Sequence, residues 1–136
     1  DQILTYIVKT IKQFKEEYGD EQPLLEMFAS ENELTFAKDL LRLAIDNADQ
    51  YKELIANSLR NWDAERVAYM DQTILLVAIT EIVNFNDIAL EVSMNEYIEL
   101  AKEYSSDKSY QFINGVLNNV VKELQKENII FKVIKK

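Results

Sequence analysis

The 136 residues carry 24 acidic and 15 basic side chains, a net charge of −9, with 48% hydrophobic residues, two glycines, one proline and neither cysteine nor histidine. Disulfides, thiolate chemistry and every catalytic or metal constellation built on histidine are excluded, which leaves carboxylates, lysines and tyrosines and points away from an enzyme and from a bound cofactor. The hydrophobic share and the scarcity of helix breakers favour one helical globular domain over disorder.

No apolar run approaches the roughly 20 residues of a bilayer span, and no basic-then-apolar leader opens the sequence, so a cytoplasmic protein without a membrane partner is expected. The acidic total argues against nucleic acid, because phosphate contacts need clustered lysine and arginine. The charge is uneven, however. From Ser105 to Lys136 there are six lysines against three acids, +3, which leaves −12 on residues 1–104. One end of the chain is locally basic, and local fields steer ligands as much as the total does.

Ile3, Leu4, Ile7, Val8, Ile11, Phe14 and Tyr18 fall at helical spacing and predict an amphipathic first helix ended by Gly19. Pro23 suits the first turn of a short helix bearing Leu24, Leu25 and Phe28. Ser30 with Glu33 forms a capping box ahead of a stripe of Leu34, Ala37, Leu40, Leu41, Ala44, Ile45 and Ala48. Around Asp46–Gln50 that helix breaks, with Asn47 placed to cap a new one bearing Tyr51, Leu54, Ile55 and Leu59. Asp63 caps a short turn with Trp62 and Val67 as a staple. Asp71 is placed to cap a helix over Gln72–Phe85, apolar nearly all round and therefore the central buried element.

Asn84, Asn86 and Asp87 mark the next turn. A further helix runs from about Glu91 or Ser93 to Tyr104, with Ser93 and Glu96 as a second capping box. The last helix aligns Ile113, Val116, Leu117, Val120, Val121 and Leu124 along one face, and Ile129–Ile134 is β-prone and predicts an extended tail. No repeat or linker interrupts the chain. The expectation is a single all-α domain over 1–136, a bundle of about six or seven helices.

Glu91, Glu96, Glu99 and Glu103 recur at helical spacing, but dinuclear carboxylate centres also use histidines, so a solvated face is the expected role and no metal site is assigned. Tyr104 and Tyr110 flank the Ser106–Ser109 turn beside Lys108, where they either pack or stack unpaired bases. Gly115 lies inside the last helix at a propensity cost of about 1 kcal/mol, which suggests tight packing against another backbone.

Three motifs recur in a fixed order: Asn61-Trp62-Asp63-Ala64-Glu65-Arg66 leading to Ile74–Ile79, then Asn95-Glu96-Tyr97-Ile98-Glu99-Leu100-Ala101-Lys102, then Ser106-Asp107-Lys108-Ser109 running into Phe112-Ile113-Asn114-Gly115-Val116-Leu117. Order and spacing resemble the NusB family of bacterial antitermination and ribosomal-RNA-processing factors over Leu34 to Leu124, most closely over Asn61–Leu117. The resemblance implies an all-α fold of two packed helical subdomains, here residues 1–60 and 61–127 with a tail at 128–136, and no enzymatic activity. It also implies binding of boxA-type ribosomal leader RNA together with the ribosomal protein NusE, within an RNA polymerase antitermination complex. By the resemblance Lys108, Ser109, Tyr110 and Gln111 belong to the RNA surface and Asp71 to the NusE contact.

The family's N-terminal arginine-rich segment has no counterpart in Asp1-Gln2-Ile3-Leu4, so the chain is expected to be the C-terminal part of a longer, N-terminally extended member that binds RNA weakly by itself. Leu76, Thr80 and Ala89-Leu90 depart from the arginine, tyrosine and paired prolines common there. Two alternatives remain, the RNA-binding module of a cytosine-5 RNA methyltransferase and a protein-binding helical module without RNA affinity.

Overall fold

A computed structural model of the protein describes residues 31–59, 69–104 and 108–130. These residues form five helices, α1 (Glu31–Asp46), α2 (Ala48–Ser58), α3 (Tyr69–Asn84), α4 (Leu90–Tyr104) and α5 (Ser109–Lys126), and no strand. The predicted helices before Ser30, the Asp63 turn with its Trp62 staple, Ser30 itself and the tail beyond Ile130 lie outside the described residues.

The core is built around α3, which packs against each of the other described helices. Its sequence dictates that place, since Ile74, Leu75, Leu76, Val77, Ala78 and Ile79 follow without a polar break and all are buried. A helix apolar on every side must be surrounded. Its threonines do not spoil this burial. Thr73 Oγ1 donates to Tyr69 O at 2.9 Å and Thr80 Oγ1 to Leu76 O at 2.7 Å, so each hydroxyl is satisfied one turn back. Asn84 ends the helix by donating to Thr80 O at 2.9 Å and to the Tyr51 hydroxyl of α2 at 3.0 Å.

The flanking helices bury the predicted stripes. Ala37, Leu40 and Ala44 of α1, Tyr51 and Ile55 of α2 with Leu59 beyond its end, and the six aliphatic positions of α5 all enter the core, whereas Ile45 is exposed. Phe36 meets Phe85 edge-on at 5.0 Å, fastening α1 to the end of α3.

Three predicted caps are corrected. Asn47 does occupy the single residue between α1 and α2, but it makes no side-chain cap for α2. Its Nδ2 instead donates to Leu43 O at 2.9 Å, closing the end of α1. Its φ of −108° and ψ of 13° leave the extended backbone that an N-cap side chain normally requires. Asp71 does not precede the central helix. That helix begins at Tyr69, so Asp71 is its third residue; the packing of Met70 against the core carries the helix further back than the polar residue suggested.

Ser93 lies inside α4, which starts at Leu90, and is fully buried. Its hydroxyl faces α3 rather than its own helix terminus. At the other end of the chain Asn128, with φ of 60°, closes α5: Asn128 N donates to Gln125 O at 3.1 Å and Ile129 N to Leu124 O at 2.9 Å. This pair of bonds is a Schellman closure, with asparagine supplying the left-handed residue.

Candidate nucleic-acid interface

The segment singled out by sequence lies where α4 gives way to α5. Lys108 occupies the boundary position before α5, with φ of −90° and ψ of −20°, and is exposed. It therefore precedes the first turn rather than lying within it. Its carbonyl accepts the Phe112 N–H at 3.4 Å, and Ser109, Tyr110 and Gln111 form the turn between. The first turn of a helix presents N–H groups that the helix cannot satisfy internally, at the positive end of its dipole, which suits an anion such as phosphate.

Gln111 is exposed, whereas Ser109 and Tyr110 are half-buried and the Tyr110 ring packs on the core. Lys102, from the last turn of α4, sits with its ammonium 5.3 Å from the centre of that ring. Gln111 Nε2 donates to the Tyr110 hydroxyl at 3.4 Å. Lys102 was not singled out by sequence. The signal was present in its place in the last turn of the preceding helix, but only the fold of the α4–α5 corner brings it beside Tyr110.

Asp71 lies at the same end of the bundle. The register of the antiparallel α3–α4 pair is fixed by Glu81 facing both Ser93 and Tyr97, and this sets the start of α3 level with the end of α4. The α4–α5 connection then places Lys108 there too. Asp71 is only 5% exposed and is therefore buried.

The fold is shared with known proteins. The NusB family model matches residues 2–122. The chain belongs to the NusB family. It is 41% identical over 93 residues to the transcription antitermination protein NusB of Fusobacterium nucleatum, covering 68% of this chain and 60% of that protein. To the NusB of Bacillus subtilis it is 40% identical over 90 residues, covering 66% of this chain and 69% of the relative. The solved structure of T. maritima NusB superposes with a TM-score of 0.76 at 28% identity, over 89% of this chain and 88% of that one. The all-α NusB-like fold expected from the motifs is thus the fold of this chain.

A buried polar cluster in this NusB fold escaped the sequence reading. Glu81, 3% exposed at the start of the last turn of α3, accepts hydrogen bonds from Ser93 Oγ at 2.5 Å and from the Tyr97 hydroxyl at 3.1 Å. Burial, with the neighbouring Glu81 carboxylate second, holds the Tyr97 hydroxyl well above its ordinary pKa. The cluster faces the core between α3 and α4, so it ties the two helices and offers no surface to a ligand. Two helical spacings hid it, because Glu81 is periodic with neither stripe and Ser93 passed for a cap.

Two further expectations concern the surface. Of the four carboxylates of α4 expected on a solvated face, Glu99 and Glu103 are exposed, whereas Glu91 and Glu96 are half-buried. Gly115, expected at a tight helix contact, is exposed, and apart from its own turn of helix nothing lies within 4 Å of where a Cβ would lie, so packing does not explain it. Elsewhere, an open groove of about 510 Å³ between α2, α3 and α5 is lined by Tyr51, Leu54, Val83, Lys122, Glu123 and Ile129 among others. It lies toward the opposite end of α5 from Lys108. No described helix is long and apolar enough to cross a membrane.

Proposed function

We propose that the chain works as a NusB-type RNA-binding transcription antitermination factor in the cytoplasm, acting with NusE on boxA-type leader RNA within an RNA polymerase complex. Family membership supports the general reading, and the observation that carries the RNA surface is the corner of α4 and α5. There Lys102 and Gln111 contact a tyrosine, and the exposed Lys108 immediately precedes the same helix turn, on a chain that is otherwise strongly acidic. Cations, amide donors and a helix start are the groups that hold a phosphate backbone.

Asp71 is proposed to serve NusE association. At its low exposure the role is to fix the end of α3 on which the partner docks. RNA and NusE would then share one end of the bundle. The reading involves no catalytic step.

The test is a titration of a fluorescent boxA-type RNA at low and moderate salt with the parent protein, Lys108→Glu and Lys38→Glu. Both lysines are exposed, and Lys38 lies on α1. The expected result is loss of binding for Lys108→Glu and little change for Lys38→Glu. Equal losses would mean diffuse attraction to any lysine and would remove the site.

A further inference from the structure

We infer that Lys102 is a phosphate contact of the RNA surface, and that Tyr110 is a positioning residue holding it there rather than a platform for a base. The inference rests on the RNA-binding reading of the α4–α5 corner. Its observation is the pair itself. The Lys102 ammonium lies 5.3 Å from the Tyr110 ring centre, and the same ammonium reaches Glu99 Oε1 at 3.3 Å.

Neither contact neutralises the lysine. The Lys102–Glu99 bridge is solvent-exposed, with the two side chains 49% and 71% accessible, and such bridges are weak and screened. A phosphate can displace Glu99 without breaking the ring contact, because the attraction of a cation to a ring face uses none of its three donors. An unrestrained lysine loses much side-chain freedom when it grips a ligand. Lys102 has part of that freedom removed beforehand by the ring.

Tyr110 is correspondingly committed. Its ring packs against the core, the Lys102 ammonium lies over it, and its hydroxyl accepts from Gln111. Base stacking needs an open face. The ammonium takes the approach that a base would use, so Tyr110 presents Lys102 and Gln111 to the ligand instead of meeting it directly.

Salt dependence separates the two roles. For single strands the slope of log K against log salt is about −0.7 per phosphate neutralised. The experiment titrates a boxA-type RNA of about 12 nucleotides into the full-length protein, Lys102→Gln, Tyr110→Leu and the double variant across a salt series. Circular dichroism checks the fold of each. Lys102→Gln is expected to weaken binding by roughly fivefold at low salt and to lower the slope by about 0.7. Tyr110→Leu should lower the slope in the same direction, and the double variant should bind no worse than Lys102→Gln.

An unchanged slope in Lys102→Gln, with the parent binding normally, overturns the phosphate contact. A loss in Tyr110→Leu that leaves the slope intact and adds to that of Lys102→Gln overturns the positioning role, since that is the signature of stacking. If the parent binds no RNA, alone or with NusE, the RNA reading itself fails, an outcome visible before any variant is compared.

Discussion

Replacing Tyr97 by phenylalanine tests the buried cluster in α3 and α4 through both its magnitude and its pH dependence. The ring of Tyr97 is fully buried, so the substitution leaves packing almost unchanged and deletes one hydroxyl. That hydroxyl donates at 3.1 Å to Glu81, itself 3% exposed. A hydrogen bond to a charged group contributes about 1.5–3 kcal/mol, so Tyr97→Phe should cost about 2 kcal/mol at pH 7.

The pH dependence has a definite sign. Burial raises the pKa of the folded tyrosine above that of the unfolded one, so above about pH 10 the unfolded chain loses this proton first. Tyr97 therefore contributes stability that is fully present below pH 10 and declines as pH rises. One unit above the unfolded pKa the decline is about 1.4 kcal/mol, and phenylalanine has no such term. The gap between parent and variant should narrow from about 2 kcal/mol at pH 7 to under about 1 kcal/mol at pH 11. Urea unfolding followed by circular dichroism at both pH values measures it. A Tyr97→Phe variant as stable as the parent at pH 7, or a gap equal at both pH values, would refute a desolvated Tyr97–Glu81 bond.

Gly115→Ala should stabilise the fold by about 1 kcal/mol, because alanine is the better helix former and open space surrounds the site; a fall in the thermal midpoint would show an unseen contact. Asn128→Gly should be neutral or slightly stabilising, whereas Asn128→Ile should cost about 1–2 kcal/mol, because a β-branched residue resists the left-handed backbone found there; equal melting curves would contradict the Schellman closure. Asp71→Asn should keep the helical fold, by circular dichroism, while weakening NusE capture in a pull-down, and undiminished capture would eliminate a role for its charge.

The helices were legible because burial writes a period into the chain. The stripes on α1, α2 and α5, Ile45 apart, and the unbroken apolar run of α3 predicted what is buried, and of the residues expected at the next turn Asn86 and Asp87 fall between α3 and α4 while Asn84 ends α3. Helix ends were less legible. Asp71, Asn47 and Ser93 each have the chemistry of a cap, and tertiary packing assigns each another place: Met70 draws α3 past Asp71, Asn47 turns back to α1, and Ser93 faces Glu81. A capping bond is worth about 1 kcal/mol, which burial of a single large side chain can outweigh.

The same division holds at the candidate interface. Lys108–Gln111 stand together in the chain, and sequence alone brought them forward with the family resemblance. Lys102 belongs to a different helix, and its place over Tyr110 depends on the angle at which α4 meets α5. Fold class and family thus follow from local patterns repeated along the chain, because hydrophobic periodicity and motif order survive without knowledge of distant contacts. The partners of Glu81, the open surroundings of Gly115 and the Lys102–Tyr110 pair were decided only by tertiary structure, since each depends on which helix faces which, and no local period encodes that.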